Sequence, residues 1–194
     1  MRGAIPENMS KYVMPVSELS PVLSEEEIRK RVAALARQIS ADYREKPLVL
    51  IGVLKGAFVF MADLMRQMTT PVEIDFIRAS SYGHCSSSSG EVRMNDDLQT
   101  ELKGRHVLIV EDILDTGLTI ERLISCIAAH EPLSVRVCAC VDKKERRQKD
   151  FEADYVCFSL ESGFLVGYGL DYAEKYRYLP AIYALKNSTS EEAK

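Results

Sequence analysis

The stretch Val107-Leu108-Ile109-Val110-Glu111-Asp112-Ile113-Leu114-Asp115-Thr116-Gly117-Leu118-Thr119 decides the reading of this chain. Four consecutive apolar residues, Val107 to Val110, form a run with no alternation, as in a strand covered on both faces. The run ends in two adjacent carboxylates, Glu111 and Asp112, and a third, Asp115, follows three residues later. Thr116-Gly117-Leu118-Thr119 then opens a helix expected over about 119–129. Gly117 can take a positive φ that lets successive amides converge. Thr116 and Thr119 add hydroxyl donors, and the helix N-terminus adds partial positive charge. Together these make a cradle sized for one phosphate.

Working outward, two further apolar runs predict buried strands: Leu48 to Val53 and Val135 to Val141. Val72 to Ala79 reads as another strand, and Tyr155–Phe158 and Ala181–Tyr183 as strands at or beyond the sheet edge. Helices are expected from Ser24 and over about 57–68. Ser24 with Glu27 forms a capping-box pattern, and Ile28, Val32, Leu35 and Ile39 recur at helical spacing. Apolar strands alternating with amphipathic helices predict an α/β fold with a mainly parallel central sheet flanked by helices. Ligands of such sheets sit past the carboxyl ends of the strands. The loops after Val53, Val110 and Val141 are therefore the expected site.

The chain has 194 residues, and no internal repeat or long linker divides it, so 1–194 is read as a single domain. Residues 1–22, with Pro6, Pro15 and Pro21, are read as an irregular N-terminal arm. Residues 80–97 are read as a mobile loop, because 80–90 alone hold six serines and two glycines. Residues 187–194 are read as a polar tail. Lys plus Arg number 25 and Asp plus Glu 29, a net charge of −4, which argues against a nucleic-acid partner. No apolar run nears the roughly 20 residues needed to cross a bilayer, so no membrane partner is expected. Arg2 is not followed by an apolar stretch, so no leader is expected. The five cysteines (Cys85, Cys126, Cys138, Cys140, Cys157) are an odd number without a C-x-x-C pair, and are expected to be buried free thiols in a cytoplasmic protein. His84, His106 and His130 do not cluster and are read as structural. No Walker P-loop is present. Gly167-Tyr168-Gly169 lacks the third glycine and the context of a dinucleotide fingerprint.

The segment Val110-Glu-Asp-Ile-Leu-Asp-Thr-Gly-Leu-Thr119 resembles the phosphoribosyl-pyrophosphate signature of type I phosphoribosyltransferases, and its Val-Glu-Asp-Ile-x-Asp-Thr-Gly form resembles the hypoxanthine-guanine branch. Leu118 departs from the lysine the family often carries there. The resemblance spans about residues 23–183, with its motifs in the family's order. It implies the type I phosphoribosyltransferase fold with a small hood subdomain, and Mg²⁺-dependent transfer of a 5-phosphoribosyl group from 5-phosphoribosyl-1-pyrophosphate to hypoxanthine, with guanine as a further acceptor. The products would be IMP or GMP and pyrophosphate, as in purine salvage.

The family's site carries over residue by residue. Glu111, Asp112, Asp115, Thr116, Gly117, Leu118 and Thr119 match its ribose- and phosphate-binding segment. Glu111 and Asp112 would act on ribose hydroxyls directly or through Mg²⁺. Asp115 matches the general base or acid facing purine N7. Leu54-Lys55-Gly56 matches the pyrophosphate loop, whose Leu–Lys peptide can be cis. Taken alone, Lys55-Gly56 is just a turn. Ser81 and Tyr82 match the Ser-Tyr pair of a lid that closes over pyrophosphate. Arg177 matches a pyrophosphate-contacting arginine. Lys143 matches the donor to the purine 6-oxo group. The neighbouring Lys144, Arg146, Arg147 and Lys149 read as a solvated basic loop. Phe164 resembles the aromatic stacked on the purine, Leu165 the residue whose main chain reads the base edge, and Asp171 the acid holding a second Mg²⁺. The family's assemblies imply a homodimer or homotetramer. Xanthine or another base as acceptor, and a non-catalytic regulator that senses the donor, remain alternative readings.

Overall fold

A computed structural model of the chain describes residues 19–78, 98–148 and 150–185. Ser81, Tyr82, His84, Cys85, Lys149, the expected loop 80–97, residues 1–18 of the arm and the tail 187–194 lie outside the described residues.

The first strand, β1 (Leu19–Leu23), precedes helix α1 (Glu25–Asp42). Strand β2 (Leu48–Leu54), helix α2 (Phe58–Gln67) and strand β3 (Val72–Arg78) follow. Next come β4 (His106–Leu114), α3 (Leu118–Ala128) and β5 (Ser134–Lys143). The chain continues through β6 (Tyr155–Leu160), β7 (Leu165–Val166) and β8 (Ile182–Leu185). Five strands form one sheet in the order β3-β2-β4-β5-β6, parallel throughout. Three form a second, antiparallel sheet in the order β1-β8-β7.

The apolar runs are explained by burial on both faces of the large sheet. Leu48 and Leu50 of β2 and Leu108 and Val110 of β4 pack with Ile28, Val32, Phe60 and Leu64 from α1 and α2. The intervening Val49, Ile51, Val107 and Ile109 pack on the other side with Ile120, Leu123 and Ile127 of α3. Helix α1 starts with the predicted capping box: Ser24 Oγ accepts from the Glu27 amide at 3.3 Å, and Glu27 Oε2 accepts from the Ser24 amide at 2.8 Å.

Two expectations are corrected and one boundary moves. The arm is not irregular up to residue 22, since Leu19–Leu23 pairs with β8. Pro21 is tolerated there because β1 is an edge strand, and the register slips between Pro21 and Leu23. The strand expected at Ala181–Tyr183 begins one residue later, at Ile182, and lies beyond the large sheet as expected, in the small one. Among the four described cysteines, Cys138, Cys140 and Cys157 are buried free thiols, whereas Cys126 is only half-buried. Cys138 and Cys140 join the same core cluster, as their spacing on β5 requires. Among the described residues, no helix is long and apolar enough to cross a membrane.

The sheet order fixes where a ligand would sit. From β2 the chain steps outward to β3, then returns to the other side of β2 with β4 and continues outward through β5 and β6. The order reverses between β2 and β4, and the loops leaving their carboxyl ends diverge there to leave a crevice. Those loops are Lys55–Gly56 and Asp115–Gly117.

Candidate active site

Strand β4 carries Glu111 and Asp112 to this crevice. Glu111 is buried and Asp112 half-buried. Burial is the main cause that pushes the Glu111 carboxyl well above its ordinary pKa, and the neighbouring Asp112 charge adds to it. Burial raises Asp112 as well, against hydrogen bonds from Glu111 and the Ile113 amide and the nearby Arg177 cation. The pair therefore binds a proton more tightly than free carboxylates do.

Beyond Leu114 the chain turns through Gly117, whose φ of 83° is left-handed, directly into α3. Gly117, as the N-cap residue, offers no side chain to the first-turn amides. The Leu118 amide lies 3.4 Å from Thr116 Oγ1, and Thr119 stands in the first helical turn. Leu118 is half-buried, and the departure from lysine leaves its amide in place. Asp115 sits at the mouth of this turn. Its Oδ1 is buried and has no hydrogen-bond partner among the described residues, and its Oδ2 lies 3.8 Å from Arg146 Nη1.

On the other side of the crevice, the Leu54–Lys55 peptide is cis. Gly56 lies against the acid pair so closely that a Cβ there would fall 1.6 Å from Asp112 Oδ2. The Gly56 carbonyl is in turn covered by Gly169, where a Cβ would fall 2.2 Å from it. Gly169 is fixed by Arg177, whose Nη1 donates to the Gly169 carbonyl at 2.7 Å. Arg177 Nη2 pairs with Asp171 Oδ1 at 2.7 Å, and Asp171 Oδ2 accepts from the Glu174 amide at 2.8 Å. The Arg177 Nε is buried without a partner among the described residues. Lys55 Nζ reaches Glu174 Oε1 at 3.0 Å, an exposed pair. The expected residues Leu54, Lys55, Gly56, Glu111, Asp112, Asp171 and Arg177 thus form one connected wall.

Lys143 ends β5, is buried, and lies one residue past Asp142, which is paired in register with Leu114. Its Nζ lies 3.6 Å from Glu145 Oε2. Strand β6 then places Leu160 opposite Lys143. Phe164 follows four residues later, 37% exposed, with its ring edge-on to Tyr172 at 5.4 Å between centroids. Leu165 is buried in β7, opposite Ala184. Lys143 thus ends β5 beside the end of β4 that leads into Asp115, while Phe164 stands in the loop between β6 and β7.

Two residues escaped the sequence reading. Glu174 is the shared carboxylate partner of Lys55 and Arg177, and nothing in its surroundings in the chain marks it. Arg147 is not part of a solvated basic loop, because its side chain is only 14% exposed. It pairs with the buried Asp142 carboxylate, and its Nε donates to the Asp115 carbonyl at 2.9 Å. In a run with four other basic residues, no pattern distinguishes the one that turns inward.

Comparison with known proteins agrees with this geometry. The chain belongs to the phosphoribosyl transferase domain family, which its residues 20–173 match. Among its relatives is the hypoxanthine-guanine phosphoribosyltransferase of Bacillus subtilis, 45% identical over 170 residues, covering 88% of this chain and 94% of the relative. The hypoxanthine phosphoribosyltransferase of Salmonella typhimurium is 43% identical over 163 residues, covering 83% of this chain and 92% of its own. In structure, the chain is similar to the hypoxanthine phosphoribosyltransferase of Staphylococcus aureus, with a TM-score of 0.82 and 41% identity over 88% of this chain and 93% of that one.

Proposed function

We propose that the chain transfers the 5-phosphoribosyl group of 5-phosphoribosyl-1-pyrophosphate to hypoxanthine, and to guanine, giving IMP or GMP and pyrophosphate. The observation that carries this reading is the acid pair Glu111–Asp112 at the end of β4, with Glu111 buried, followed by the Gly117 turn into α3 and flanked by the buried Lys143 at the end of the neighbouring β5.

In this reading the α3 amides and the Thr116 and Thr119 hydroxyls hold the 5′-phosphate. Glu111 and Asp112 accept from the ribose hydroxyls. Lys55, the amides beside it and Arg177 receive pyrophosphate, with Arg177 released from Asp171 and Glu174. Phe164 stacks on the purine and Lys143 donates to its 6-oxo group, with the Leu165 main chain at the base edge. The bond from C1 of the ribose to pyrophosphate breaks as the purine nitrogen bonds to C1, through an oxocarbenium-like transition state. The Asp115 carboxylate takes the proton that the purine must lose at N7. Its buried Oδ1, without a partner among the described residues, supports this role.

Mg²⁺ fits the donor set. It takes one or two carboxylates and otherwise water and substrate phosphates, and a dication would relieve the desolvation and repulsion within the Glu111–Asp112 pair. Asp171, whose Oδ1 is paired with Arg177, would hold a second ion. When bound, the metal offsets charge on the departing pyrophosphate. Homodimeric or homotetrameric assembly and a cytoplasmic location belong to the same reading.

The test is nucleotide formation from 5-phosphoribosyl-1-pyrophosphate with hypoxanthine, guanine, xanthine, adenine or uracil. Turnover of hypoxanthine or guanine that is lost with EDTA is expected. Turnover of another base alone would move the error to Lys143 and Phe164. Donor binding without turnover would favour a regulator.

A further inference from the structure

We propose that Arg147 is a positioning residue that locks the purine-facing end of β5 to the turn bearing Asp115, so that base recognition and proton transfer are held in one geometry. The proposal rests on the phosphoribosyl-transfer reading above.

One guanidinium serves five acceptors. Besides the Asp142 carboxylate and the Asp115 carbonyl, Nη2 lies 3.4 Å from the Leu114 carbonyl and 3.5 Å from the Lys143 carbonyl, and Nη1 donates to the Phe151 carbonyl. Two of these carbonyls flank the start of the phosphate turn, and one belongs to the residue assigned to the purine 6-oxo group. Asp142, whose side chain is 7% exposed, fixes the guanidinium from the sheet side. The next residue adds a second tie, because the Gln148 amide donates to the Thr116 carbonyl at 3.0 Å. Strands β4 and β5 are paired up to Leu114 and Asp142, where the ladder between them stops. Past that point Arg147 and the Gln148 amide continue the connection with fixed bonds. The planar fork of an arginine can meet several acceptors at set angles, whereas a lysine ammonium is a single point charge on a flexible stem.

The consequences are selective. The guanidinium bonds neither the α3 amides nor the Glu111–Asp112 pair, and the Gln148–Thr116 bond still ties the phosphate turn without it, so donor binding should survive its loss. The relative placement of Asp115 and Lys143 should not, and a misplacement of about 1 Å in a reacting group can cost about 100-fold in rate.

The experiment compares wild type with Arg147→Lys, which keeps a cation beside Asp142 but loses the fork. Folding is followed by thermal melting, donor affinity by calorimetry with 5-phosphoribosyl-1-pyrophosphate, and kcat and KM with hypoxanthine. The expected result is a fall in kcat/KM for the purine of about 10–100-fold, with donor affinity within about twofold of wild type. Asp142→Asn, which keeps an oxygen for the guanidinium but not its charge, should lower the same purine parameter by a smaller factor. The double variant should be no worse than Arg147→Lys alone, as for residues acting through one network. A folded Arg147→Lys enzyme with purine kcat/KM within about threefold of wild type overturns the proposal, as does an equal loss in donor affinity. If Arg147→Lys does not fold, unchanged purine kinetics in Asp142→Asn overturns it. A wild-type protein that turns over no purine rejects the functional reading instead, independently of Arg147.

Discussion

Replacing Gly56 by alanine should damage donor binding by a route the geometry makes explicit. The added Cβ would fall 1.6 Å from Asp112 Oδ2, where ordinary contact needs roughly 3.4 Å. Retreat of the loop is opposed, because the Gly56 carbonyl is already covered by Gly169, whose carbonyl accepts from Arg177 at 2.7 Å. The Asp112 carboxylate must therefore rotate out of its place beside Glu111. If Asp112 holds a ribose hydroxyl, the loss of one charged hydrogen bond is worth about 1.5–3 kcal/mol, or about 10–150-fold in affinity. Overpacking adds a destabilisation of about 1–3 kcal/mol, which lowers Tm by roughly 2–12 °C in a chain of this size. Steady-state kinetics with varied 5-phosphoribosyl-1-pyrophosphate and a thermal melt read both quantities. A donor KM within threefold of wild type together with an unchanged Tm would refute the claim that Gly56 is there for close approach to Asp112.

The Glu111–Asp112 pair should trade stability for binding. Glu111 has its folded pKa raised by burial and by Asp112, so its ionisation costs stability above that raised value. The cost shrinks as pH falls through the folded value towards the unfolded value of about 4.3. Glu111→Gln should thus raise the Tm of the free protein at pH 8, raise it less near pH 5, and weaken donor binding; a Tm gain that grows on acidification would contradict the assignment. Phe164→Leu should raise KM for hypoxanthine by about 5–150-fold, the equivalent of about 1–3 kcal/mol of stacking, while leaving donor KM nearly unchanged. Equal effects on both substrates would place Phe164 outside the purine subsite.

Much of this was legible because the signals were local. The apolar runs of β2, β4 and β5 have no alternation since α1 and α2 cover one face and α3 the other, and burial on two faces is written directly into composition. The Ser24–Glu27 box and the Gly117 turn depend on residues within a few positions of each other. What was missed depends on distant partners. Strand β1 exists because β8, some 160 residues later in sequence, offers it an edge, and Pro21 hid that from a propensity reading. Arg147 turns inward because the buried Asp142 and the carbonyls of another strand's loop await it there. Glu174 gains its role only when the chain brings Lys55 and Arg177 together.

The most direct test of the site is the rate of IMP formation by Asp115→Asn at saturating 5-phosphoribosyl-1-pyrophosphate and hypoxanthine. The substitution keeps the shape of the side chain and removes its ability to take a proton. A fall in kcat of about 10²–10⁴-fold, with the donor KM little changed, is the predicted result. Turnover equal to that of the wild type would remove Asp115 from the chemistry and contradict the account.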